Sequence, residues 1–248
     1  MLRTAAALAL LLAAAPASAY EVVAVADGGT LSGTVKFAGP PPKLEPLAVN
    51  KNRDVCGEQK ASEALVVGPE RGVRGSVILL EGVARGKKGE ADVVLDNHRC
   101  VFVHHVTVTM PGERARVKNS DPILHNTHGF LGKTTVFNLA LPNKDQMIEV
   151  TKRLTRPGVV RVVCDAHPHM AAWMIVHASP YYAVSDERGA FKIDGIPPGS
   201  YKVTMWHEGF RAKGLDKDGR PLYDEPHTIT RDVTIPAKGT ATVDFELK

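Results

Sequence analysis

The run Val159-Val160-Arg161-Val162-Val163-Cys164-Asp165-Ala166-His167-Pro168-His169-Met170-Ala171-Ala172-Trp173-Met174-Ile175-Val176 decides the reading of this chain. Two β-branched, apolar runs of strand length bracket a short loop that holds a thiol, an imidazole and a thioether. Soft sulfur donors beside an imidazole select copper, and two His with one Cys and a weak axial Met suit a one-electron site. That set lacks one histidine. The best upstream source is Asn119-Ser120-Asp121-Pro122-Ile123-Leu124-His125-Asn126-Thr127-His128, a turn-rich segment after a strand signal. His125 is preferred there, and His128 is its rival three residues on. A purely structural role for Cys164 is the alternative.

Outward from this loop the chain reads as sheet. Leu31 to Phe37, Gly75 to Leu80, Val101 to Thr109, Arg114 to Lys118, Gly158 to Cys164 and Ala172 to Val176 are short and β-branched, with turn residues between them. No stretch keeps a long helical period. Pro40-Pro41-Pro42 and Arg85 to Gly89 read as loops, and Ser179-Pro180 reads as the boundary between two modules. Beyond it, Tyr181 to Ser185, Phe191 to Ile193, Tyr201 to Trp206, Thr228 to Thr234 and Thr240 to Leu247 supply further strands. The expected fold is all-β. A sandwich over residues 20–178 carries the metal loop, with the N-terminal stretch supplying its first strands or, as the alternative, forming a partly separate lobe, and residues 179–248 form a small antiparallel sandwich.

Composition agrees with this class. Of 248 residues, 44% are hydrophobic, 23% charged and 6% aromatic, which excludes disorder, collagen and coiled coil. The formal net charge of +4 is spread along the chain, so no nucleic acid partner is expected. Arg3, the apolar run Ala5 to Ala15 and the small-x-small triplet Ala17-Ser18-Ala19 read as a signal peptide cleaved after Ala19. A span needs roughly 20 apolar residues, and this run is shorter, so no membrane span is expected. The mature protein is expected in the periplasm or outside the cell.

The Cys164-x-x-His167-x-x-Met170 spacing, the strands around it and the upstream Pro-x-x-His-Asn loop resemble the cupredoxins, with a ligand loop most similar to that of amicyanin. The resemblance is good over Cys100 to Ala178 and loose over Leu31 to Gly82. It implies a Greek-key sandwich holding one type 1 copper ion. His125, Cys164 and His167 are then the equatorial ligands, Met170 the axial one, and Asn126 ties the two ligand loops together. It also implies that electrons leave through an exposed edge of His167. Here His169 stands where amicyanin-like loops carry an aromatic residue.

With Cys164 claimed by the metal motif, Cys56 and Cys100 are expected to pair, the alternative being that both stay free. His104 and His105 fall on opposite faces of one strand and cannot both reach one metal. His105, His169 and His177 are read as structural, with an auxiliary role at copper as the alternative; His98, His207 and His227 are read as structural or surface. The segment Asp186 to Tyr201, with its Gly-x-Pro-Pro-Gly-x-Tyr run, resembles the carboxypeptidase regulatory-like (CnaB-like, transthyretin-like) sandwiches and carries no catalytic set.

The function expected is single-electron transfer by a blue copper protein, not an enzyme, to a redox partner such as a c-type cytochrome. Periplasmic copper trafficking or sensing is the alternative, motivated by His105, His128 and His169. An adhesion or carbohydrate-binding sandwich with a degenerate copper loop is a third reading.

Overall fold

The computed structural model describes residues 20–248, so the signal-peptide reading lies outside the described residues. The strands that build its sheets are β1 (Gly29–Phe37), β2 (Val77–Glu81), β3 (Asp92–His98), β4 (Val101–Val103), β5 (Val106–Thr109), β6 (Arg114–Asn119), β7 (His125–Leu131), β8 (Thr134–Leu141), β9 (Met147–Glu149), β10 (Gly158–Val163) and β11 (Ala171–Val176). They continue with β12 (Tyr182–Val184), β13 (Ala190–Ile196), β14 (Gly199–His207), β15 (Ala212–Leu215), β16 (Pro221–Tyr223), β17 (His227–Ile235), β18 (Thr240–Thr242) and β19 (Phe245–Leu247). One short helix, α1 (Arg53–Cys56), lies between β1 and β2. The all-β sandwich class expected from the sequence is the class observed.

Residues 92–176 form one sandwich. Its two sheets run β4-β3-β6-β9 and β5-β11-β10-β7-β8. Both are mixed: β3 and β6 pair in parallel, as do β5 and β11, while β10 pairs antiparallel with both β7 and β11, the strands on either side of it. Alternate residues face inward, as a half-buried strand requires, and Leu95, Ala115, Val117, Leu141, Val162 and Ala172 are fully buried between the layers. Strand β7 bulges between Gly129 and Phe130. Gly129 is needed there, because a Cβ would lie 2.5 Å from the Phe137 ring.

The second sandwich corrects the expected division at residue 178. Its sheets are β12-β2-β14-β17 and β13-β1-β18, with β19 also pairing to β1. Strands β1 and β2 therefore belong with the C-terminal strands and not with the sandwich of residues 92–176. Leu31 lies opposite Ile193, Val35 opposite Phe245, and Val77 opposite Trp206. The physical reason is burial: Leu31, Val35 and Phe37 fill one core with Phe191, Ile196, Phe210 and Phe245. Without β1 the sheet formed by residues 190–247 has no middle strand.

The two sandwiches meet along an apolar seam of Val77, Val108, Ile175 and Trp206. Trp173 and Trp206 cross it edge to face, 5.4 Å between ring centroids.

Candidate metal centre

Strand β10 ends at Val163 and β11 begins at Ala171, paired to each other, so the intervening residues form a closed hairpin loop. The Cys164 N–H donates to the Met170 carbonyl (3.3 Å) and the Met170 N–H donates to the His167 carbonyl (3.0 Å). Strand β7 pairs with β10 on the same sheet and starts at His125, which brings the upstream loop beside this hairpin.

The side-chain donors of His125, Cys164 and His167 all lie within 4.8 Å of one another, and all three residues are buried. Cys164 is a free thiol. Its Sγ lies 3.9 Å from His125 Nδ1 and 3.6 Å from His167 Nδ1. Bond lengths of about 2.3 Å to thiolate and about 2.0 Å to imidazole, as zinc sites have, put S and N about 3.7 Å apart in a trigonal set. The observed spacings bracket that value, so this donor set fits a metal ion. Met170 is 1% exposed and its backbone lies opposite that of Cys164 across the hairpin.

Each imidazole is held from behind. His125 Nε2–H donates to Asp121 Oδ2 (2.9 Å), and His167 Nε2–H donates to Asn52 Oδ1 (3.0 Å). With Nε2 protonated on both rings, the two Nδ1 lone pairs are free on the side of the sulfur. A second-sphere carboxylate or carbonyl that fixes the tautomer in this way is the usual support of a metal-binding histidine. Asn126 joins the two loops. Its N–H donates to Cys164 Sγ (3.4 Å), its Oδ1 accepts from the Asp165 N–H (3.3 Å), and its Nδ2 donates to Asn138 Oδ1 (2.6 Å).

Burial sets the protonation of these donors. It lowers the pKa of His125 below the usual histidine value against the opposing pull of Asp121. It lowers His167 to about 4, assisted by repulsion from His125, His169 and Lys51. It raises the Cys164 thiol, against hydrogen bonds from nearby backbone N–H groups and the charge of Arg220. At neutral pH the site therefore holds two neutral imidazoles and a protonated thiol, and metal binding would release that proton.

The expected exposed edge of His167 is not present. His167 is 1% exposed, because the segment around Asn52, left-handed at φ 52, lies over it and takes its Nε2–H. That segment is anchored by the disulfide Cys56–Cys100, which pairs the two cysteines expected to pair. The second buried group of possible ligands, Cys100, Asp121 and His125, shares His125 with the first, and its cysteine is spent in that disulfide.

The histidines weighed as further or auxiliary ligands are engaged elsewhere. His128 Nδ1 lies 3.0 Å from Asp165 Oδ2, and its Nε2 lies 2.9 Å from Thr135 Oγ1. His169 Nε2–H donates to the Cys100 carbonyl (3.1 Å) and His177 Nε2–H to the Leu80 carbonyl (3.2 Å). His105 pairs with Glu208 across the seam between the sandwiches. Three supporting residues escaped the sequence reading: Asp121, Asn52 and Arg220. Asp121, four residues before His125, was within reach of it; Asn52 and Arg220 act from distant segments with no spacing signal.

No protein family model matches the chain, and no curated protein matches it. Among solved structures it is similar to the Cu-containing nitrite reductase (NirK) from Thermus scotoductus SA-01, with 18% identity over 37% of this chain and 23% of that one, at a TM-score of 0.31. It is also similar to a methionine-to-alanine mutant of amicyanin in the Cu(I) form, with 18% identity over 42% of this chain and 99% of that one, at a TM-score of 0.29. A reduced Cu(I) form at pH 4 of a proline-to-glycine mutant of amicyanin matches with 18% identity over 40% of this chain and 98% of that one, again at 0.29. The chain thus spans less than a quarter of the reductase, and each likeness covers under half of this chain.

Proposed function

We propose that this chain is a type 1 copper protein that carries single electrons between redox proteins in the periplasm or outside the cell. One observation carries the reading: two buried imidazoles present Nδ1 within 3.9 Å of a buried free thiol, on a loop whose other end is Met170. His125, Cys164 and His167 would hold the ion, with Met170 as a further ligand. Copper bound there supplies a one-electron couple between Cu(II) and Cu(I).

The chain's own residues do the rest. Asp121 and Asn52 fix the ring planes and tautomers of the two histidines before the ion arrives. The Asn126 N–H and the loop amides receive the charge of the thiolate when its proton leaves. Burial of all three donors excludes water, so little solvent reorganises when an electron enters or leaves. Because Asn52 lies between His167 Nε2 and solvent, a redox partner such as a c-type cytochrome would meet the Asn50 to Asn52 segment and not the imidazole itself. The histidines that motivated a trafficking role are each bound to other protein groups, which favours a held ion over an exchanging one.

Titration of the purified protein with Cu(II) tests this. An intense visible thiolate-to-copper band that bleaches with ascorbate and returns on reoxidation is the expected result, and Cys164→Ser abolishes it. A Cys164→Ser protein with the band intact, or a wild type that takes up no copper, refutes the reading.

A further inference from the structure

The hairpin of β15 and β16, in the C-terminal part of the chain, reaches the Cys164–Met170 loop through Arg220. Its tip is a turn built on Asp216. The Asp216 carboxylate accepts the N–H groups of Asp218 and Arg220, both at 2.9 Å, and its backbone N–H donates to the Arg220 carbonyl at 2.9 Å. Gly219 completes the turn at φ +80, a conformation that glycine adopts without strain. The turn sends the Arg220 side chain inward. Although strand β15 is exposed along its whole length, Arg220 is 7% exposed.

The Arg220 guanidinium makes three hydrogen bonds, all to carbonyls of the ligand loop. Nη1 donates to Pro168 (3.0 Å) and Met170 (2.9 Å), and Nη2 donates to Cys164 (2.9 Å). Those carbonyls belong to the cysteine that opens the loop, the methionine that closes it and the proline between the two histidines. A planar fork with two nitrogens can hold both ends of a loop at a fixed separation, and a point charge on a flexible stem cannot.

We propose that Arg220 is a positioning residue for the metal site: it sets the separation of the Cys164 and Met170 ends of the ligand loop, and so presents both sulfur ligands from a loop held in place by the hairpin of β15 and β16. This deepens the copper reading and rests on it for its function. The geometry of the clamp itself stands without a metal. It also gives the C-terminal module a task, which is to hold the ligand loop rigid through the change of copper oxidation state. The guanidinium charge acts in the same direction, opposing the burial that raises the Cys164 thiol.

The test uses the full mature chain with Arg220→Met and Arg220→Lys. In metal-free protein, amide hydrogen exchange at Cys164 and Met170, both bonded within the loop, is expected to speed up on the order of tenfold or more in Arg220→Met, while the amides of Val160 and Met174 in the flanking strands keep their wild-type rates. An unchanged loop overturns the proposal, as does an equal acceleration of loop and strands, which marks a merely structural loss. If Arg220→Met does not fold, Arg220→Lys carries the same measurement.

In copper-loaded protein, copper dissociation is expected to be about 10–100-fold faster in Arg220→Met, the usual effect of removing such a support. The visible band is expected to shift, and Arg220→Lys is expected to leave both defects largely uncorrected, since one nitrogen cannot span acceptors held by two. Full rescue by lysine would assign the effect to charge alone and overturn the clamp. If the wild type shows no thiolate-to-copper band, the copper reading fails, and the exchange measurement still decides whether Arg220 holds the loop.

Discussion

Asp121→Ala is the substitution that best separates a designed second sphere from incidental packing. The Asp121 carboxylate, 5% exposed, accepts three donors: His125 Nε2–H at 2.9 Å, the Arg99 N–H at 2.6 Å and the Cys100 N–H at 2.7 Å. Arg99 and Cys100 form the two-residue turn between β3 and β4, and both are left-handed, at φ 53 and 58. Neither is glycine, so this turn costs about 1–2 kcal/mol per residue, which the carboxylate helps to offset. Alanine leaves the buried Cys100 N–H and His125 Nε2–H without acceptors, at about 1–3 kcal/mol each, while the Arg99 N–H lies on an exposed residue and finds water. The expected loss is therefore about 2–6 kcal/mol in the metal-free protein. Asp121→Asn keeps one oxygen for Cys100 and His125 and should lose only about 1 kcal/mol. Urea denaturation at pH 7 reads both values. Copper affinity should fall about 10–100-fold in the alanine variant as His125 loses its fixed tautomer. A stability loss below about 1 kcal/mol for alanine, or equal losses for alanine and asparagine, would refute the account.

Stability of the metal-free protein should rise with pH between about 4 and 6.5. His167 and His169 are both lowered to about 4, mainly by burial, so the unfolded chain binds more protons in that window and the stabilisation is lost as pH falls through it. His105 has the opposite sign. Burial disfavours its imidazolium most strongly, but the Glu208 carboxylate, together with Glu63 and a backbone hydrogen bond at Ala171, raises its pKa overall, so its contribution is full below 6.5 and lost as pH rises through the folded value. Denaturation curves from pH 4 to 9 should show both limbs, with His105→Gln flattening only the alkaline one; stability falling from pH 4 to 6.5 would contradict this. Removing the disulfide with Cys56→Ala and Cys100→Ala should cost roughly 4 kcal/mol by loop-closure entropy for the 44-residue separation, read by the same denaturation. Asn52→Ala should leave the copper–thiolate band in place while raising the rate of electron exchange with a small soluble redox dye, because the cover over His167 Nε2 is gone; an unchanged rate would mean that electrons enter elsewhere.

What the sequence made legible, and what it hid, divides by distance along the chain. Cys164, His167 and Met170 lie in one loop, and the strands around it show in five consecutive residues of β-branched pattern, so local spacing sufficed. His125 required one further inference, that two strand ends converge, and the antiparallel pairing of β7 with β10 meets it. The N-terminal strands were recognised as strands but assigned to the wrong sandwich. Alternation reports that Leu31, Val35 and Phe37 face a core, and it says nothing about which core, because the partners Ile193 and Phe245 lie more than 150 residues away. Asn52 and Arg220 were hidden for a different reason. Both act by hydrogen bonds that any amide or guanidinium could make, to an imidazole N–H in one case and to backbone carbonyls in the other, so neither residue type nor spacing marks them. The covering of His167 follows from the same long-range placement. The segment from Asn50 to Cys56 is fixed at its end by a disulfide to Cys100, in the turn that Asp121 holds, and Asp121 in turn holds His125. His125 is thus tied through a carboxylate, a turn and a disulfide to the cover of His167, and Cys164 is held by an arginine from the hairpin of β15 and β16. A cluster of donor side chains that a short motif announces is positioned by groups drawn from distant parts of the chain.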